Sequence, residues 1–167
     1  FLVHSWTAGG VIQLKGTVTD VVTAAIPVQF IAALVGTSFF AVLFGVPRKF
    51  YFAAGLVGVL GWMVYILMSR YTPMGDFGST FLAATMVAFL SRYAAIKLKC
   101  PSTVFLICGI FPLIPGAGVF WSAYYIASTQ LESAIMMGLS SVKLTLAIVL
   151  GIIVAANVFH SSNWQSK

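Results

Sequence analysis

Long apolar runs, separated by short polar segments, follow one another along most of the chain. Each run is close to the length of about 20 residues that a helix needs to cross the hydrocarbon core of a bilayer. The pattern predicts five transmembrane helices, at residues 21–44, 50–69, 77–95, 103–125 and 142–159. It also predicts an interfacial or protruding helical turn at residues 131–141. We therefore expect an all-α integral membrane protein.

The fourth run contains residues that interrupt a helix near its middle, and the predicted break lies between Pro112 and Gly116. Proline has no backbone N–H, so the carbonyls of Cys108 and Phe111 lose their usual donors. Non-helical backbone at membrane depth is tolerated only where protein buries it or where it lines a cavity. The segment is therefore either a kink packed through its glycines or a binding site. The residues that define it are Gly109, Pro112, Pro115, Gly116 and Gly118.

The polarity of the break determines which ligand chemistry it would suit. Pro115 can start a new half-helix, whose N–H groups at Gly116, Ala117 and Gly118 would point into the break. A carboxylate suits this end, whereas the freed carbonyls of the first half-helix suit an ammonium group or a cation. Many secondary transporters hold their substrates between half-helices of this kind.

Charged residues are rare but unevenly distributed. The 167 residues are 60% hydrophobic and 7% charged, with a net charge of +6. Five spans would place six of the nine basic residues on one face without an acid, and three basic residues with all three acids on the other. Cytoplasmic loops are rich in Lys and Arg, so the N-terminus is predicted outside and the C-terminus in the cytoplasm. Basic residues spread over short loops do not form a nucleic-acid-binding patch.

The chain carries no arrangement of residues that indicates catalysis, a metal site or a cofactor site, and we expect none. Arg92 lies about one turn inside the cytoplasmic end of the third predicted span. An intramembrane cation is a functional candidate, and this one would attract a substrate carboxylate to the inner entrance. Its alternative role is structural, with the side chain snorkelling to the interface.

Four motifs resemble the threonine/serine exporter (ThrE) family, and most closely the short membrane subunit of its split type (YjjB-like). They are AAIP at 24–27, FGVPRK at 44–49, AGLVGVLGW at 54–62 and GIFPLIPG at 109–116, the last preceded by Pro101. In this family two five-helix halves form one carrier for threonine and serine, and the split pair is associated with succinate export. The resemblance implies that this chain works with a larger membrane subunit, and that the broken-helix residues share the importance of the family motif.

Residues and resemblance together define the expected organisation. Residues 1–20 are expected to form an extracytoplasmic loop or interfacial segment, 21–159 the membrane domain and 160–167 a tail. The expected function is a subunit of a secondary exporter for threonine/serine or succinate, in a bacterial plasma membrane. The alternative is a membrane scaffold that stabilises its partner without transporting anything. The sequence is also compatible with a homo-oligomer of this chain.

Overall fold

A computed structural model of the protein describes residues 26–164. The chain divides into two compact units at the boundary between Ala32 and Ala33, and every contact given below lies within the second unit. The described part consists of six α-helices and two 3₁₀ turns, at Arg48–Phe50 and Phe111–Leu113. The helices are α1 (Ile26–Leu43), α2 (Tyr51–Tyr71), α3 (Gly75–Leu98), α4 (Ser102–Ile110), α5 (Gly116–Ala127) and α6 (Leu131–Trp164).

The helices fit a protein that crosses a membrane several times. Three segments are long and apolar enough to span a bilayer, at Arg48–Tyr71, Gly75–Leu98 and Leu131–Val158. A fourth span arises if Ser102–Leu113 and Gly116–Ala127, which are bent by 53° at their junction, count as one. The all-α membrane fold is confirmed, whereas the count of five is not. The first predicted span begins at residue 21, outside the described residues, and its described part is a shorter apolar helix.

The turn that follows α1 has the geometry that its glycine and proline predict. Gly45 adopts a positive φ of 66°, and the N–H of Val46 donates to the carbonyl of Ala41 at 3.0 Å. This is the Schellman arrangement, which favours glycine because a side chain strains the left-handed conformation. Val46 itself is buried and so anchors the turn.

Glycines on α2 allow its neighbours to approach closely. An ideal Cβ on Gly55 would lie 2.8 Å from the Ser38 hydroxyl of α1, and one on Gly58 would overlap Thr37 of the same helix. A Cβ on Gly61 would overlap Val87 of α3. These glycines therefore let other helices of this chain pack closely on α2.

One helix differs from the prediction. Residues 131–141 are not a separate turn, because α6 continues without a break from Leu131 to Trp164, over 34 residues. Its first half finds a packing partner in α5, where a Cβ on Gly138 would lie 3.1 Å from the Ser122 hydroxyl. Thirty-four residues extend over about 51 Å, which exceeds what a bilayer crossing needs.

Candidate functional site

The broken segment is an ordered connection of defined turns. After α4 the 3₁₀ turn Phe111–Leu113 is followed by Ile114 in an extended conformation. Pro115, with φ −76° and ψ 55°, then forms an inverse γ-turn. In that turn the Gly116 N–H donates to the Ile114 carbonyl at 2.7 Å. Pro112 lies in the 3₁₀ turn, and Pro115 immediately precedes α5, as the sequence predicts.

The carbonyl side of the break offers at most one oxygen with a missing donor rather than two. The Ile114 N–H donates to the Phe111 carbonyl at 3.2 Å, so this carbonyl is satisfied within the 3₁₀ turn. Cys108 is the residue four positions before Pro112, which has no N–H to donate. The expectation of a freed carbonyl is therefore wrong for Phe111 and stays a prediction for Cys108.

The amide side of the break offers two donors rather than three. Gly116 is engaged in the γ-turn, and the Val119 N–H donates to the Pro115 carbonyl at 3.2 Å. Between them, the N–H groups of Ala117 and Gly118 donate to no backbone carbonyl within residues 26–164. Gly116 and Ala117 are exposed. The positive end of α5 is therefore accessible, with two orphan donors of the kind that bind anions.

Apolar side chains cover the first half of the break. The Phe111 ring lies 3.6 Å from that of Phe40, measured between centroids, and 5.9 Å from that of Phe44. Gly109 is buried, and a Cβ there would lie 2.8 Å from both Val57 and Val87. The sequence of the broken motif does not predict these aromatic contacts with α1, because they depend on how a helix far away in the chain packs.

The level of the break in the bundle follows from these contacts. Gly61, Val87 and Gly109 meet near the middle of α2 and α3. The break therefore begins close to the midplane of the two helices that span most regularly. Secondary transporters bind their substrates at a similar level, near the midplane of the bilayer.

Arg92 does not join the broken-helix residues. It lies five residues beyond Val87 on α3, a distance of about 7.5 Å along the helix. Because α4 runs antiparallel to α3, the N-terminus of α5 lies on the opposite side of Gly109. Arg92 is half-buried and has interactions within the protein. The helix break and the Arg92 side chain are therefore separate features, at different levels along the helix axis.

A groove runs beside the second half-helix, between α5 and α6. Its volume is about 470 Å³, and its walls are mostly apolar with three hydroxyl groups, those of Ser122, Ser141 and Thr145. Ser122 donates to the Ala134 carbonyl across the helix pair at 2.9 Å. Gly118 packs directly on the Ser141 side chain, so the groove adjoins the N-terminus of α5. No sequence pattern indicates this groove, because it exists only once α5 folds against α6.

Comparison with known proteins decides the family. The sequence profile described as Threonine/Serine exporter, ThrE, matches residues 29–158. The chain belongs to the threonine/serine exporter family. The match begins within α1 and covers the three candidate spans and the bent helix pair in full. It confirms the resemblance drawn from the motifs.

This exporter-family protein is also similar to a curated relative, a threonine/serine exporter of Corynebacterium glutamicum. The two are 29% identical over 94 residues, which is 56% of this chain but only 18% of the relative. The chain therefore aligns with a small part of a much longer protein. No solved structure matches it.

Proposed function

We propose that the protein is the membrane subunit of a secondary exporter for small metabolites that carry a carboxylate, either threonine and serine or succinate. It would act in a bacterial plasma membrane with its N-terminus outside and its C-terminus in the cytoplasm, and without catalysing a reaction. Membership of an exporter family supports the transport role. The observation that supports the site is the pair of N–H groups at Ala117, which is exposed, and Gly118, which is half-buried; neither donates to a backbone carbonyl of the described residues, and both lie beside a mid-bundle helix break.

In this mechanism the substrate carboxylate binds at the N-terminus of α5. Two backbone donors and the positive end of the helix dipole stabilise its charge without a buried cation. The ammonium group of an amino acid would lie toward the Cys108 carbonyl. Gly109, Pro112, Pro115 and Gly116 shape this opening, and Arg92 would draw anions in from the cytoplasmic side.

A larger subunit of the same family is the proposed partner. The threonine/serine exporter of Corynebacterium glutamicum, of which only 18% aligns with this chain, supports a larger partner that supplies the remaining parts of the carrier. Within the described residues α5 packs extensively on α6 alone, so most of its surface is available to lipid or to another chain. Family resemblance favours the larger subunit over a second copy of this chain.

Efflux measurements test the proposal. Cells loaded with threonine, serine or succinate would express this chain alone, the larger subunit alone, or both. Export of a substrate only when both are present would support a two-subunit carrier and identify what it transports. Export by this chain alone would indicate that it works as an oligomer. If both proteins insert and no combination exports any of the three, the scaffold alternative replaces the exporter.

A further inference from the structure

The end of the bundle where α3 is followed by α4 carries exposed positive charge from two separate segments of the chain. Arg48 and Lys49 lie in the 3₁₀ turn before α2. Lys97 lies in the last turn of α3, and Lys99 directly follows that helix. All four side chains are exposed. Together these four residues form the basic end of the protein.

Buried packing holds the two basic segments together. Phe50, the residue after Lys49, contacts Phe105 of α4 edge to face, with 5.9 Å between the ring centroids. Both rings are buried, and Ala95, two residues before Lys97, belongs to the same hydrophobic cluster. The Lys49 ammonium lies 4.8 Å from the centroid of the Phe50 ring. The positive charges of both segments therefore lie around one packed junction.

No acid of residues 26–164 neutralises the basic end. The two described acids, Asp76 and Glu132, lie in the first turns of α3 and α6. Asp76 is thus at the opposite end of α3 from the lysines. Ser122 of α5 donates to the carbonyl of Ala134, so Glu132 lies beside α5, beyond the break that separates it from α4. Uncompensated charges of one sign attract ligands of the other sign.

Apolar surface adjoins the basic end on the same helices. Phe52 on α2 is 69% exposed, and Tyr93 and Ile96 on α3 are 60% and 71% exposed. The Lys97 ammonium lies 5.8 Å from the centroid of the Tyr93 ring, so charge and apolar surface meet directly. A soluble anion would use the charges alone. A phospholipid has a phosphate for the charges and acyl chains for the apolar surface.

We propose that the basic end binds the headgroups of anionic phospholipids, whose acyl chains pack on Phe52, Tyr93 and Ile96. Basic clusters at the ends of membrane helices attract anionic lipids in this way. Each lysine ammonium supplies up to three donors for phosphate oxygens, and hydrogen bonds between charged groups are strong. The inference goes beyond the proposed exporter function and does not depend on which substrate is transported.

The test uses the purified full chain in a neutral detergent, titrated with phosphatidylglycerol or with phosphatidylcholine of the same acyl chains. Native mass spectrometry counts the bound lipids, and the melting temperature measures stabilisation. Lys49→Gln/Lys99→Gln removes two charges of the basic end, whereas Lys49→Arg/Lys99→Arg keeps them. The matched control, Arg70→Gln/Lys143→Gln, removes two exposed charges elsewhere. Both ends of the protein are accessible in detergent, so orientation in the cell membrane does not affect the comparison.

We expect phosphatidylglycerol to bind the wild-type protein at least about tenfold more tightly than phosphatidylcholine, and to raise its melting temperature more. Each Lys or Arg near an anionic surface strengthens binding about fivefold. The glutamine double variant should therefore lose at least about tenfold in affinity for phosphatidylglycerol. The arginine double variant and the control should keep the wild-type preference. Added salt should reduce the difference in melting temperature, because exposed charges are screened.

Three results would overturn the inference. The first is equal affinity of the wild-type protein for the two lipids, a comparison that depends on no variant. The second is wild-type binding of phosphatidylglycerol by the glutamine double variant. If that variant also no longer copurifies with the larger subunit, the basic end binds an acidic protein segment instead.

The third contrary result is full competition by glycerol phosphate at the concentration of the lipid. Glycerol phosphate carries the charged group without acyl chains, so this outcome would assign the basic end to a soluble anion. None of the three results bears on the exporter proposal, which the efflux measurements test separately.

Discussion

At the scale of single residues, backbone conformation and close approach determine which side chains are tolerated. Thr129 is the clearest case of strain, because it follows the end of α5 with a positive φ of 58°. The Gln130 N–H donates to the Tyr125 carbonyl at 2.9 Å, which completes a helix end of the type that favours glycine. A β-branched residue is unusual in this conformation.

We therefore expect Thr129→Gly to stabilise the protein by about 1 kcal/mol. Thermal unfolding in detergent measures the change. Ser128→Gly is the matched control, since Ser128 has an ordinary negative φ of −88° and gains nothing from glycine. An unchanged or lower melting temperature for Thr129→Gly would contradict the assignment of strain to this position.

Gly58 is the residue where close approach matters most. A methyl group there would overlap Thr37, so we expect Gly58→Ala to destabilise the protein by about 1 to 3 kcal/mol, as overpacking does. Gly36→Ala is the control, because nothing lies within 4 Å of its ideal Cβ. In that open position alanine should stabilise the helix by about 1 kcal/mol. Equal effects of the two substitutions on thermal unfolding would argue against the tight seam.

At the scale of helices, the break between α4 and α5 is the feature on which the proposed site depends. Pro115→Ala combined with Gly116→Leu restores an N–H and a good helix former at the γ-turn. A continuous helix would then satisfy the N–H groups of Ala117 and Gly118 internally. We expect export to be lost while the amount of inserted protein is unchanged.

Pro73→Ala provides the matched control, because this exposed proline lies in the short connection between α2 and α3. It should export at the wild-type rate. Normal export by the double variant at Pro115 and Gly116 would show that the break serves packing rather than substrate binding.

At the scale of the whole molecule, the open question is on which side each loop lies and whether the bent pair crosses the bilayer. Single cysteines at Met74, Thr129 and Lys99 answer it, in a background where Cys100 and Cys108 are serine. Met74 and Thr129 lie in exposed connections before α3 and after α5, and Lys99 lies in the one after α3.

An impermeant thiol reagent applied to intact cells should label Thr129→Cys and Met74→Cys but not Lys99→Cys. The positive-inside distribution predicts this order. Labelling of Met74→Cys alone would mean that α4 and α5 form a re-entrant pair. Labelling of Lys99→Cys alone would reverse the proposed orientation.

Several features follow from the sequence by itself, because each depends on local chemistry. The length and apolarity of the runs predict membrane helices in lipid, where backbone groups must bond internally. Gly45 predicts the turn after α1, and the prolines at 112 and 115 predict the interruption, since a missing N–H acts wherever it occurs. The family resemblance rests on the same motifs, and the profile match confirms it.

Only tertiary structure decides which groups remain unsatisfied and which surfaces meet. The γ-turn around Pro115 removes the Gly116 N–H from the expected set of donors, and the 3₁₀ turn satisfies the Phe111 carbonyl. The sequence pattern separates residues 131–141 from the last span. In the structure they form the first part of α6 and pack on α5. Thr37 of α1 packs directly on Gly58 of α2. Such contacts join residues far apart in the chain, so no local pattern encodes them.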